Sequence, residues 1–135
     1  MQNHGIALEI ETADRAINAQ DFDKVAACYT EDAALVVRPG SIARGRDNIE
    51  RSFVRIAEYF NGSLRVSQGG MVIIEAGDTA LVLAKTCLES PGKPDSEFSS
   101  QRDAIYVYRK DETGKWLCAI DNSYGFELLN TDAVK

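Results

Sequence analysis

The hydrophobic period of this chain shifts near residue 62, from mostly the three-to-four spacing of helices to the alternation of strands. Before that point Ile6, Ile10, Ala13 and Ile17 make one stripe on a helix of about three turns. Asn18-Ala19-Gln20-Asp21 breaks the stripe, and Asp21 suits the N-cap of a second, shorter helix ending near Tyr29. Ala33 to Val37 is a short β-type run stopped by the turn Arg38-Pro39-Gly40-Ser41. A third helix follows Gly45, carries Ile49, Phe53, Ile56 and Phe60 on one stripe, and stops at Asn61-Gly62.

The second half reads as strands: Leu64 to Gln68, Met71 to Glu75, Thr79 to Leu88, Gln101 to Arg109 and Trp116 to Ser123. Gly69-Gly70 and Ala76-Gly77-Asp78 are turn signals, Glu89 to Asp95 is a polar loop, and Asp111 to Lys115 a hairpin turn. Helices first and a meander after predict an α+β fold, three helices covering one face of a mostly antiparallel sheet. At 135 residues this is one domain, with a core over about 6–125 and a tail from 126 to 135.

Fifteen Lys and Arg against 21 Asp and Glu give a net charge of −6, which argues against a nucleic-acid partner. The one cationic cluster, Arg44, Arg46, Arg51 and Arg55, is interleaved with Asp47, Glu50 and Glu58 and reads as a solvated helix face. The 3 cysteines, Cys28, Cys87 and Cys118, are far apart, neither a disulfide framework nor a metal motif; buried thiols in a reducing compartment are expected. His4, the 1 histidine, sits in a tail expected to be loose, so no metal site or histidine-based triad is predicted. No apolar stretch has the length of a membrane span, and no secretory signal is visible at the N-terminus; a cytoplasmic protein is expected.

Asn18-Ala19-Gln20-Asp21-Phe22, Tyr29-Thr30-Glu31-Asp32-Ala33, Pro39-Gly40, Gly45-Arg46-Asp47-Asn48-Ile49 and Gly114-Lys115-Trp116 occur in an order that resembles the SnoaL-like branch of the nuclear-transport-factor-2-like superfamily. The resemblance runs over about residues 6–125. It implies a conical α+β barrel, commonly a homodimer, with an apolar pocket between sheet and helices. It leaves activity open, because the superfamily includes isomerases, cyclases, hydrolases and non-catalytic modules.

Parity of the last hairpin selects candidate residues. With Asp111 facing Lys115 and uninterrupted alternation, Asp103, Ile105, Val107, Leu117, Ala119, Asp121 and Ser123 share one face. Similarity to ketosteroid isomerases, aligned on Gly114-Lys115, turns that face to the pocket and makes Asp103 the nearest counterpart of an oxyanion-binding acid. Asp121 and Asp103 are then the expected catalytic pair, one protonated and donating, the other ionised and accepting. The competing reading puts both at a solvated mouth or in pairs with Arg102 or Lys85. Departures from the enzymes are clear: Arg38 stands where the isomerases place a base before proline, Ala13 where they place a tyrosine, and Gln101-x-Asp103 replaces the Arg-x-Asp of limonene-type epoxide hydrolases.

Tyr106, Tyr108, Trp116 and Ile120 fall on the opposite, more apolar face, which either lines the pocket or is covered by a second subunit; the family habit favours the latter. Tyr29, Phe53, Tyr59 and Phe60 read as core, with Tyr29 or Tyr59 able to present a hydroxyl, and Arg38 as a cation at the pocket mouth. The expected ligand site is Tyr29, Arg38, Phe53, Tyr59, Ile105, Leu117, Ala119 and Ser123. The expected protein is a homodimer that binds a small apolar organic ligand without cofactor, metal, nucleic acid or membrane. It performs acid–base isomerisation or polyketide-type cyclisation, or else only binds.

Overall fold

Helix α1 (Gly5–Asn18) begins where His4 Nδ1 accepts the Ile6 N–H at 3.0 Å. An accepting Nδ1 carries no hydrogen, so Nε2 donates to Glu75 Oε2, 2.7 Å away at the far end of strand β3 (Arg65–Ala76). The histidine expected in a loose tail is a tie between helix and sheet. The structure, a computed structural model, describes residues 4–90 and 101–130. Most of the polar loop expected over 89–95 lies outside them. The remaining elements are α2 (Phe22–Ala27), β1 (Tyr29–Arg38), β2 (Ser41–Arg44), α3 (Arg46–Tyr59), β4 (Thr79–Glu89), β5 (Gln101–Lys110), β6 (Trp116–Asn122) and a 3-10 helix (Gly125–Asn130).

The six strands form one sheet in the order β2-β1-β6-β5-β4-β3. Only β1 and β6 run parallel. The sheet keeps two edges, β2 and β3, so the expected conical barrel is an open sheet roofed by helices. α1 packs on β3 and β6, α3 on β1 and β2, and α2 bridges the two helices.

Gly69-Gly70, expected as a turn, lies inside a continuous β3. There it makes a bulge between the pairs Gln68↔Thr86 and Met71↔Ala84. The irregularity lets Gln68 and Met71 both face the helices although they are three residues apart. A Cβ on Gly69 would sit 3.1 Å from the Lys85 Cβ, a tight contact that β4 would have to yield to by a few tenths of an ångström. Residues from 126 onward, expected as tail, include most of the 3-10 helix packed on β5. Its first residue, Gly125, has φ 58, and a Cβ there would lie 2.1 Å from the Asp103 carbonyl oxygen.

Tyr106, Tyr108 and Trp116 are only 5–7% exposed and pack with Ile6, Ile10, Val25, Ile49 and Phe53 beneath the helices. This corrects the expectation that a second subunit covers the aromatic stripe; the chain's own helices do. The other face of the sheet carries Val72, Ile74, Leu81, Leu83 and Ile120, each 38–56% exposed. Cys28 and Cys118 are buried free thiols and Cys87 is half-buried. No helix among the described residues is long and apolar enough to cross a membrane.

Candidate active site

The β5–β6 hairpin starts in the expected register, with Lys110↔Trp116, Arg109↔Leu117 and Tyr108↔Cys118. One residue further it slips: Val107 pairs with Ile120 and Tyr106 with Asp121. A bulge at Ala119 therefore moves Asp121 from the Ile105 side to the Tyr106 side, under the helices. Asp103 stays on the outer face, 78% exposed at its side chain, with Lys85 Nζ 2.5 Å from its Oδ1. The two aspartates expected to work together lie on opposite faces of the sheet.

Beneath the helices Asp121 meets Tyr29, whose hydroxyl donates to Oδ2 at 2.5 Å. Burial pushes the Asp121 carboxyl up to about 6, against the lowering effect of that hydrogen bond. Burial also drives the Tyr29 phenol well above its ordinary range, with the Asp121 charge adding to the shift, so Tyr29 stays a neutral donor.

A second carboxyl faces the same hollow. Asp14, on α1 between Ile10 and Ile17, lines it together with Tyr29, Tyr106, Tyr108, Cys118 and Asp121. Burial raises its pKa to about 7, the Gln68 hydrogen bond opposes this, and the Asp121 charge adds to it. Gln68 Nε2 donates to Asp14 Oδ2 at 3.0 Å, and Gln68 Oε1 accepts from Thr86 Oγ1 at 3.0 Å. With the Thr86 hydrogen committed to Gln68, the Tyr106 hydroxyl 2.7 Å away is the donor to Thr86 Oγ1. The chain Tyr106→Thr86→Gln68→Asp14 fixes one carboxyl oxygen of Asp14.

Of the expected ligand residues, Tyr29, Arg38, Phe53, Tyr59 and Ser123 line the hollow. Phe53 backs Tyr29, ring centroids 6.2 Å apart, and Tyr59 stands edge-on to Phe60 at 4.9 Å, half exposed. Leu117 and Ala119 are buried but do not line it. Ile105 lies with Asp103 on the outer face of β5, and both are also among the residues that line the hollow. Asp14, Gln68 and Thr86 are residues of this candidate site that sequence reasoning missed. A carboxylate inside the apolar stripe Ile10-Ala13-Ile17 was the available signal for Asp14. Among the described residues, no group of three or more His, Cys, Asp or Glu is placed to hold a metal ion.

The model of the SnoaL-like domain matches residues 10–118. The chain belongs to the SnoaL-like family. Solved structures agree on the fold at low sequence identity. One is a protein from Shewanella frigidimarina with a proposed ketosteroid isomerase assignment: 13% identity, TM-score 0.72, covering 88% of this chain and 94% of that one. An uncharacterised cystatin-like protein from Caulobacter vibrioides shares 17% identity at TM-score 0.71, covering 96% and 94%. A nuclear-transport-factor-2-like protein with a cystatin-like fold from Novosphingobium aromaticivorans shares 18% at TM-score 0.70, covering 86% and 76%. No curated protein matches the chain at a significant level.

Proposed function

We propose that this SnoaL-like chain binds a small, largely apolar carbonyl compound and moves a proton beside its carbonyl, the elementary step of a cofactor-independent isomerase or cyclase. The observation that carries the reading is the pair Asp14 and Asp121, two carboxyls from different elements, displaced to about 7 and about 6 in one tyrosine-lined hollow. Between those values Asp121 is mostly ionised while Asp14 keeps its proton, the division of labour that acid–base catalysis needs. Asp121 takes a proton from the carbon next to the carbonyl. The C–H electrons form the enolate C=C bond, and the charge collects on oxygen, where the Asp14 O–H donates. Return of the proton to another carbon gives an isomer; attack of the enolate carbon on a second carbonyl closes a ring.

The test is exchange of the α-hydrogens of 2-tetralone in D2O, followed by NMR with the carboxyl carbons titrated in parallel. Faster exchange with the protein, lost in Asp121→Asn while tetralone affinity stays within about tenfold, supports the reading. Ordinary carboxyl midpoints near 3.9 with no exchange would leave a binding module without chemistry.

The outer sheet face supports a further part of the proposal, pairing with a second copy. Val72 and Ile74 on β3, Leu81 and Leu83 on β4 and Ile120 on β6 expose apolar surface on the side away from the helices. A homodimer burying about 800 Å² per partner would cover it.

A further inference from the structure

Helix α3 sorts its charges. Arg51 and Arg55, with Asn48, Ser52 and Tyr59, line the hollow, whereas Asp47, Glu50 and Glu58 do not. At 100° per residue the lining set occupies one flank of the helix and Asp47, Glu50 and Glu58 the adjoining one, with Glu58 bordering Arg51. Arg38, at the end of β1, lines the same hollow. Of the cluster that reads in sequence as a mixed-charge surface, Arg44, Arg51 and Arg55 line the hollow and Asp47, Glu50 and Glu58 do not.

Arg38 and Arg55 are exposed, and neither forms an ion pair among the described residues. Arg51 donates to Asn48 Oδ1 at 2.5 Å and lies within electrostatic reach of Glu50. Arg46 is committed to the Tyr29 carbonyl at 2.8 Å. Among the described residues, the hollow's other acids besides Asp14 and Asp121 are Asp103 and Glu127. They are matched by Lys85 at 2.5 Å and Arg102 at 3.5 Å. In a chain of net charge −6, the α3 rim is thus left with cations and no lining acid. Guanidinium groups in that setting favour an oxyanion, which they bind in a planar fork.

We infer that the ligand is amphipathic and ends in an oxyanion, a carboxylate or phosphate, held by Arg38 and Arg55 at the rim while its apolar carbonyl part reaches Asp14 and Asp121. This rests on the hollow being the ligand site and narrows its substrates to organic acids.

Two fluorescent probes share a ring system and differ in a sulfonate: 8-anilino-1-naphthalenesulfonate and N-phenyl-1-naphthylamine. In R38Q/R55Q the anionic probe should bind about tenfold more weakly while the neutral one stays within about twofold. R15Q, on the outside of α1, should weaken neither. Displacement of the anionic probe by decanoate or decyl phosphate but not by decanol supports the same conclusion. Equal weakening of both probes in R38Q/R55Q, no weakening of the anionic one, or equal displacement by decanol overturns it. Neutral-probe binding that persists in those cases leaves the apolar ligand site standing; failure of both probes to bind removes both readings. Asp121→Asn is the separate control on the chemistry and should leave the anionic probe's affinity undiminished.

Discussion

The Tyr29 hydroxyl donates to Asp121 Oδ2 at 2.5 Å, joining the start of β1 to the end of β6 across 92 residues of chain. It is the one interaction that holds the Asp121 carboxyl down against burial. Tyr29→Phe should therefore raise the Asp121 midpoint above its present value of about 6, and shift the low-pH limb of any activity upward with it. Carboxyl-carbon NMR reads this directly. An unchanged or lower midpoint would mean that the hydrogen bond does not set the titration.

Stability should depend on pH through the same two acids. Unfolded aspartate titrates near 3.9, and in the folded chain Asp14 and Asp121 titrate at about 7 and about 6. The native state thus binds more protons between pH 4 and 7. Their contribution is fully present below pH 4 and is lost as pH rises through 6 and 7. Asp32, lowered chiefly by its Thr30 hydrogen bond, and Asp111, lowered chiefly by Thr113, have the opposite sign and act at more acid pH. Relative to wild type, Asp14→Asn/Asp121→Asn should gain on the order of a few kcal/mol in urea melts between pH 4 and 7. A pH-independent difference between the two proteins would count against both shifts.

Thr86 is 2% exposed and stands between Gln68 and Tyr106. Thr86→Val keeps its shape and leaves the Gln68 carbonyl and the Tyr106 hydroxyl without their partner, at a cost of about 1–3 kcal/mol in chemical denaturation. A change below about 0.5 kcal/mol, the level of a surface substitution, would show that the chain of hydrogen bonds does not hold the site together.

Phe53 is buried by α3 against Tyr29, so Phe53→Ala should cost roughly 3–5 kcal/mol. Glu58→Ala, on the solvent flank, should stay within about 0.5 kcal/mol. Glu50 is the poorer control, because its carboxyl is raised by burial and by Asp23. Equal effects at Phe53 and Glu58 in urea melts would contradict the helix orientation.

Leu83 is 42% exposed at the middle of the outer face. If two copies pair there, light scattering of the wild type should give twice 14.8 kDa, and Leu83→Glu should give the monomer without lowering the melting temperature of the dilute protein. A wild-type monomer at micromolar concentration would exclude the pairing.

The helices were legible because each stripe repeats over several turns; Ile49, Phe53 and Phe60 fall on the buried side as their spacing requires. The sheet was legible as strands but not as faces. Side-chain parity survives only while pairing is regular, and bulges at Gly69-Gly70 and Ala119 each reset it. Asp121 was found, but the expected parity put it on one face with Asp103, whereas the slipped register puts the two on opposite faces. Asp14 was passed over because a stripe counted through its apolar members hides a polar residue inside it. The β2 strand, four residues long, is too short to show alternation.

The parallel pairing of β1 with β6 also fixes when the site can exist. Tyr29 and Asp121 are separated by 92 residues, and Asp14 and Gln68 by 54. Contacts of such sequence separation form only after the intervening chain has been ordered, which makes them slow and mutually dependent. A nascent chain emerging from the ribosome can roll up α1, α2 and α3 early, but β6 is the last strand to be delivered. Until it inserts between β1 and β5, the hollow lacks one wall and Asp14 has no opposite number. The acid–base function proposed here would then belong to the finished chain alone, with no partial version for a fragment or folding intermediate to carry.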